Sequence, residues 1–403
     1  MPIKLGLIGK TNTGKTTFFN SATLSSEEIS SYPFTTKSAV SGIAHAITLC
    51  VHPEFKIQDN PNNSKCVEGW RYIPIELIDL PGLIKDAWKG KGLGNQFLSI
   101  AAQSDALLHV VDASGGIDST GKITETGTGD PISDFADIEE ELTMWYQKIL
   151  EGNRDKVSKL IQSGSDISDT VTDLYRGIGV NKTHVKETLL MTGLEEKDFD
   201  DFDMVDSKKF ASYLRKISKP TLIVANKVDV EGADKNFARL RERYNDSIVI
   251  PVSGDSEFSL RRAEQKGLIK YSPGSEEFEI IKSDELNEKQ INALDFIKKG
   301  IMGEYMRTGV QFAINVAVFK LLKMNSVYPV ANDQNLTDKK GRVLPDLILL
   351  KDGATINDLA KEIHTDLIKG LLYGKDLRYN LRLPVDYQLR DRDVVSLVSA
   401  AKK

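Results

Sequence analysis

The 403-residue sequence predicts an α/β fold: a parallel sheet built around a phosphate-binding loop, interrupted by a helical unit and followed by a small β-grasp unit. Three observations predict it. A Gly-rich loop lies between an apolar run and a helical pattern at the start of the chain. Two short polar motifs, Asp-x-x-Gly and Asn-Lys-x-Asp, each close a later apolar run. From about Ser326 the pattern changes to a strand pair, a helix and further strands. The expected division is 1–136 and 219–325 for the nucleotide-type domain, 137–218 for the helical insertion and 326–403 for the β-grasp domain.

The first element is the apolar run Ile3 to Ile8, read as a strand. It leads into Gly9-Lys10-Thr11-Asn12-Thr13-Gly14-Lys15-Thr16, which fits G-x-x-x-x-G-K-[ST] at every required position, and a helix to about Leu24 follows. Strand before and helix after is the context the motif requires. Such a loop aims backbone N–H groups and a helix N-terminus at a phosphate chain. Gly9, Asn12, Thr13, Gly14, Lys15, Thr16 and Thr17 are the expected contacts. Lys15 reaches the β- and γ-phosphates, and the Thr16 hydroxyl holds Mg²⁺.

Next, Tyr32-Pro33-Phe34-Thr35-Thr36 places two hydroxyls in a loop that Pro33 keeps irregular. In a nucleotide switch, such a loop supplies a Thr that meets Mg²⁺ and senses the γ-phosphate. Residues 38–49 read as a strand leading into a polar insertion, His52 to Gly69. Cys50, His52, Asp59 and Cys66 could together make a four-ligand zinc site. The spacing matches no strong pattern and Asp is an unusual structural ligand, so ordinary thiols and a surface His are the expectation.

The apolar strand Tyr72 to Ile78 ends in Asp79-Leu80-Pro81-Gly82. Asp79 would hold Mg²⁺ through water, and the Gly82 N–H would meet the γ-phosphate. Glycines at 82, 90, 92 and 94 then give a segment able to rearrange on loss of that phosphate. A further strand, Ala106 to Val111, ends at Asp112. The next, Pro220 to Ala225, starts over 100 residues later, too far for one crossover, and apolar residues at helical spacing fill the gap. The acidic residues at 195–206 read as a solvated linker.

Asn226-Lys227-Val228-Asp229 caps the strand. The Asp229 carboxylate can accept from both N1–H and N2–H₂ of guanine, whereas adenine offers the opposite polarity. Asn226 would serve the purine N7 and tie down neighbouring loops, and the Lys227 stem would lie along the base. Ile248 to Val252 is one more strand. It ends in Ser253-Gly254, which would present a backbone N–H to the guanine O6. The order phosphate loop, DxxG, NKxD, each at a strand end, points to a guanine nucleotide, GTP or GDP.

Composition bounds the remainder. Charged residues are 28% and the net charge is −5, which argues against a protein that coats nucleic acid, DNA included. Two cysteines make no disulfide framework, so a reducing cytoplasmic compartment is expected. No apolar run approaches the ~20 residues that span a bilayer, so no membrane association is expected.

The run from Tyr32-Pro33-Phe34-Thr35-Thr36 through DLPGLI to GKGLGNQFL closely resembles the Obg-like group of translation-factor-class GTPases. The insertion, the phrase Lys266 to Tyr271 and the C-terminus resemble its YchF-related branch. The resemblance implies a Ras-like G domain, a Mg²⁺-binding Thr at Thr36, and a C-terminal TGS domain docking on ribosomes or RNA. Catalysis would fall to Lys15, Thr36 and Gly82, with Thr16, Thr36 and Asp79 around the metal. The best-known YchF proteins have lost the guanine motif and look ATP-preferring; NKVD is intact here, so GTP is expected. Position 11 is Thr where the family usually has Pro, which should matter little. Leu83 stands where Ras-like enzymes place the water-orienting Gln, which implies slow intrinsic hydrolysis. Asn12 matches a loop Asn that binds K⁺ in some related GTPases, so potassium is a candidate second cation. The reading is thus a GTP-hydrolysing switch on ribosomes or their assembly. The alternatives are an ATP-using regulator and a GTP-binding scaffold without turnover. Residues 326–403 hold 13 Lys and Arg against 11 Asp and Glu, a mildly basic balance consistent with RNA.

Overall fold

Near-continuous apolar runs make the central strands, as expected of strands buried on both faces. In the computed structural model β1 (Lys4–Ile8), β5 (Trp70–Asp79), β6 (Ala106–Asp112), β7 (Thr221–Asn226) and β8 (Val249–Val252) form the sheet order β5-β1-β6-β7-β8, all parallel. Every residue of β6 is buried. Beyond β5 lie β3 (Val40–Leu49) and β2 (Ile29–Ser31), antiparallel to each other, and β4 (Lys65–Val67) pairs antiparallel with β5. The structure describes residues 2–24, 29–31, 39–82, 87–89 and 94–400. The expected switch residues Thr35 and Thr36, and Leu83, lie outside the described residues.

Packing divides the chain into two compact units, Ile3–Ile43 with Glu76–Ala313, and Ala44–Ile75 with Ile314–Lys403. In the first, α1 (Lys15–Thr23) and α2 (Gly94–Gln103) follow β1 and β5, while α8 (Ala233–Arg243) and α9 (Gly254–Gln265) follow β7 and β8. The long β6–β7 connection contains α3 (Pro131–Glu151), α4 (Arg154–Gln162), α5 (Ile167–Tyr175), α6 (Lys182–Thr192) and α7 (Met204–Ser218). Their apolar faces share one core with the sheet, where Ile8 and Leu107 meet Leu142, Tyr146 and Phe210. The Tyr175 hydroxyl donates to Tyr146 O at 2.6 Å, which satisfies a phenol buried in that core.

The acidic run at 195–206 is, as expected, largely the exposed connection between α6 and α7, and its last residues also cap α7. Asp203 caps α7 by accepting from the Val205 and Asp206 amides, and Asp206 reciprocates at the Asp203 amide. Carboxylates gather there because a helix N-terminus offers unpaired N–H donors.

An ion pair ties α3 to α7: Arg215 Nη2 donates to Glu139 Oε1 at 2.8 Å, and a second contact joins Nη1 to Oε2. Burial alone would raise the Glu139 carboxyl, but Arg215 and His109 beside it hold it below the ordinary carboxylate value. Its stabilisation is therefore present above the unfolded carboxylate range and lost as pH falls through the depressed folded value. Glu139→Gln leaves the Arg215 guanidinium buried and unpaired, with an expected cost of about 3 kcal/mol. Urea unfolding of the two proteins at neutral pH measures it, and the difference should shrink in acid.

The first unit also carries β9 (Ile269–Lys270) and β10 (Glu279–Ile280), a short antiparallel pair. The second unit carries β11 (Met324–Val330), β12 (Ile348–Lys351), β13 (Leu371–Asp376), β14 (Leu381–Leu383) and β15 (Val394–Ser399) in the order β12-β11-β15-β13-β14. Only β11–β15 is parallel. The helix Ile356–Ile363 covers one face, with Ile356 and Leu359 against Val327, Leu383 and Val395. This is the β-grasp arrangement, with one strand more than its sequence suggests. β13 hides behind a glycine and two charges, yet Gly374 is what lets the helix close on it. A Cβ there would fall 2.6 Å from Ile356 Cδ1.

Candidate nucleotide-binding site

Because the five central strands are parallel, their carboxyl ends open on one edge, where such sheets bind ligands. That edge gathers Gly9 to Lys15 after β1, Asp79 and Gly82 after β5, Asp112 at the end of β6, Asn226 to Asp229 after β7, and Ser253 and Gly254 after β8.

The β1–α1 loop curls through left-handed conformations at Asn12 (φ 62°) and Gly14 (φ 95°). A Cβ on Gly14 would lie 2.1 Å from Asn226 Nδ2, so only glycine lets the two segments touch. Thr13 is buried, its hydroxyl donating to Lys10 O at 3.1 Å. Thr17 turns its methyl towards Gly254. At the loop's centre Lys15 Nζ donates to Gly9 O at 3.1 Å and Lys10 O at 2.5 Å. Burial lowers this ammonium to about 8, against the pull of Asp79.

Thr16 Oγ1 donates to Asp79 Oδ2 at 2.7 Å. Asp79 Oδ1 is buried and has no hydrogen-bond partner among the described residues, and burial raises this carboxyl despite the Thr16 hydroxyl and Lys15. A hydroxyl beside a carboxylate with one unused oxygen is a hard-oxygen donor set, and it fits Mg²⁺, which takes few protein ligands and keeps several waters. Gly82 lies against Thr11, where a Cβ would come within 2.7 Å of the Thr11 amide nitrogen.

The NKVD segment is fastened to the phosphate loop. Asn226 Nδ2 donates to Thr13 O at 2.9 Å, while its Oδ1 accepts from Gly254 N at 3.1 Å. Lys227, at φ 65°, donates from Nζ to Asn12 O at 2.9 Å and pairs with Asp112 at 2.7 Å. Asp229 is half-buried and forms no hydrogen bond among the described residues. Ser253 is fully buried; its hydroxyl caps α9 at the Ser256 amide and donates to the Ser256 hydroxyl. The Gly254 N–H, expected to point at a base oxygen, is already committed to Asn226.

The potassium role expected of Asn12 finds no support in this geometry. Its amide nitrogen donates to Gly121 O at 2.9 Å, beside Thr11 Oγ1 on the same oxygen. Asn12 thus tethers the 113–130 segment to the loop. Sequence reasoning also missed Lys10, whose Nζ pairs with Asp134 at 2.8 Å and Asp137 at 2.6 Å on the first turns of α3. No local signal announces a contact spanning 124 residues.

Three family profiles match: the 50S ribosome-binding GTPase profile over residues 4–133, the G4 motif-containing domain of the Obg-like GTPase YGR210-like family over 224–332, and the TGS domain over 334–399. A GTP-binding protein of Methanocaldococcus jannaschii is 41% identical over 402 residues, 99% of each chain. The ribosome-binding ATPase YchF of Bacillus subtilis is 30% identical over 69% of this chain and 73% of its own. A crystallised GTP-binding protein from Pyrococcus horikoshii superposes with TM-score 0.79 at 34% identity, covering 99% of this chain and 100% of that one.

Proposed function

The chain belongs to the Obg-like, YchF-type GTPases, with a P-loop G domain and a C-terminal TGS domain, and from that premise we propose that it is a Mg²⁺-dependent GTP-hydrolysing switch that acts on ribosomes in the cytoplasm. The observation that carries this reading is the clamp between the two motifs. Asn226 on Thr13 and Lys227 on Asn12 make one continuous pocket edge from the phosphate loop to the guanine motif.

In this reading Lys15 leaves the Gly9 and Lys10 carbonyls for the β- and γ-phosphates, and the loop's N–H groups cradle the same oxygens. Thr16 and Asp79 would hold the metal, and Thr36 is the further ligand the sequence leads one to expect. When bound, Mg²⁺ neutralises charge building on the phosphate oxygens. The Gly82 N–H meets the γ-phosphate, coupling its loss to the residues that follow. Asp229 reads guanine N1–H and N2–H₂, and Asn226 keeps the base loops in register. Gly254 and Ser253 wall the base edge through backbone atoms. With Leu83 after the DxxG motif, no side chain at that position orients water, so turnover by the isolated protein is slow.

The TGS domain is the docking module. On its β13–β14 hairpin Tyr379 is 73% exposed, Leu372 and Leu381 are exposed, and Arg382 stacks over the Tyr373 ring at 4.0 Å. Aromatic and guanidinium faces of this kind stack on unpaired bases. Among the described residues no helix is long and apolar enough to cross a membrane. Purified protein should hydrolyse GTP slowly in Mg²⁺ and faster when ribosomal particles are added, with co-sedimentation lost in a Tyr379→Ala/Arg382→Ala variant. Unchanged turnover and no co-sedimentation with any ribosomal particle would leave a GTP-binding scaffold. The ATPase names of the YchF relatives support a second reading, ATP as substrate, which the nucleotide comparison at the end of the Discussion decides.

A further inference from the structure

The segment between β3 and β5 is a poor folder by itself. From Cys50 to Gly69 the buried residues are only Cys50, Val51 and Asp59 among the described side chains. Yet it holds a defined shape. Its base is closed by Cys50 N donating to Gly69 O at 2.8 Å, and its middle bonds to the TGS-side chain of the same unit through Asn60 N to Val343 O and Asn62 N to Pro345 O. Something other than an apolar core fixes the loop.

Four side chains from three separate parts of it converge. Cys50 and His52 lie just after β3, Asp59 in the loop, and Cys66 on β4 opposite Arg71 of β5. Cys50 Sγ is 3.3 Å from Asp59 Oδ2, His52 Nδ1 is 3.4 Å from the same oxygen, and Cys66 Sγ is 3.5 Å from His52 Nδ1. All four ligand atoms lie within 4.8 Å of one another. Donors held at ~2.0–2.3 Å around a tetrahedral zinc ion are about 3.3–3.8 Å apart, so these three contacts match edges of a zinc tetrahedron, and the other three pairs, all within 4.8 Å, need a closure of at most about 1 Å on binding.

We propose that Cys50, His52, Asp59 and Cys66 form a structural zinc site that staples the 50–69 loop in the second unit.

The donor set selects the metal. Two sulfurs and an imidazole suit zinc and do not suit Mg²⁺ or Ca²⁺, and four protein ligands leave no open position for catalysis. Charge explains Arg71, which is fully buried and donates from Nη1 to Asp59 Oδ2 at 2.6 Å, from Nε to Ser64 Oγ at 2.8 Å and from Nη2 to Leu344 O at 2.5 Å. Two thiolates and a carboxylate around a divalent ion leave one negative charge, and the guanidinium cancels it. A buried cluster without net charge avoids the desolvation penalty an unbalanced one would carry. An Asp59–Arg71 pair by itself would account for those two residues, but not for Cys66 meeting His52 or Cys50 meeting the carboxylate. Asp59 accepts from Arg71 on one side of Oδ2 and faces the ion on the other, an outer contact of the kind that orients metal-bound carboxylates.

The test uses full-length protein expressed with zinc supplementation, desalted and analysed for metals. About one zinc per chain is expected, and the content should fall to background in Cys66→Ser and in His52→Ala. Cobalt added to chelator-stripped wild type should give the intense thiolate-to-cobalt absorption of a tetrahedral site, absent in Cys66→Ser. Zinc should also slow the reaction of both thiols with a disulfide reagent by roughly tenfold or more, since a ligated sulfur is not a free nucleophile. Circular dichroism and cooperative urea unfolding of the full chain report that each variant has folded. Wild type that takes up neither zinc nor cobalt overturns the site, as do thiols that zinc leaves equally reactive or an intact mass showing a Cys50–Cys66 disulfide in place of metal.

Discussion

Replacing Lys15 with alanine is expected to lower the rate of GTP hydrolysis by roughly 10²–10³-fold, the usual cost of deleting a preorganised donor at developing charge. Lys15 is almost fully buried at the centre of the phosphate loop, with Gly9 O and Lys10 O as its partners. Without the ammonium those carbonyl dipoles point at the incoming phosphates with nothing between them, so nucleotide affinity should fall together with the rate. The same group sets a pH dependence. Burial lowers Lys15 to about 8, with Asp79 opposing. The phosphate-binding form is the protonated one, present below that value, so affinity in the wild type should weaken as pH rises through it. Fluorescent-nucleotide titrations on either side of this value measure the effect, and Lys15→Ala should lack the dependence.

The second large effect falls on the base. Asp229→Asn should weaken GTP binding by roughly 10⁴-fold, because a site built to accept two hydrogen bonds rejects a ligand that leaves its polar groups unpaired. The asparagine amide offers a donor where guanine N2–H₂ also donates. Xanthine carries an oxygen at that position, so xanthosine triphosphate should bind the variant better than GTP does. Asp229 forms no hydrogen bond among the described residues, so the substitution breaks none there, and the loss should read base recognition. Competition between GTP and xanthosine triphosphate for wild type and variant provides the measurement.

The nucleotide edge was legible because each motif is contiguous and its chemistry is specific. Gly9 to Thr16 announces a phosphate, Asp229 a guanine, and both sit where a parallel sheet must open. The parts that stayed hidden depend on distance along the chain or on context. Lys10 looked like a variable loop position, and only the fold carries Asp134 and Asp137 to it. Asn12 read only as a candidate cation ligand, and the tether from its amide nitrogen to Gly121 O, 109 residues away, carries no local signal. The acidic stretch is solvated as its composition says, but the cap that Asp203 and Asp206 give α7 stayed hidden, because a helix cap and a charged linker have the same composition. Strand β13 was obscured by Gly374, whose missing Cβ matters only once Ile356 packs above it. Cys50, His52, Asp59 and Cys66 fit no standard spacing; three separate segments must fold before these side chains meet.

An intact guanine motif, clamped to the phosphate loop, is expected to make this member of the family a GTP protein although YchF relatives carry the name ATPase. The most direct test is calorimetric titration of the nucleotide-free wild type with GTP and with ATP, each with Mg²⁺. GTP is expected to bind at least roughly 10²-fold more tightly than ATP, given one carboxylate paired by guanine and stranded by adenine. Equal affinities, or tighter binding of ATP, would contradict it.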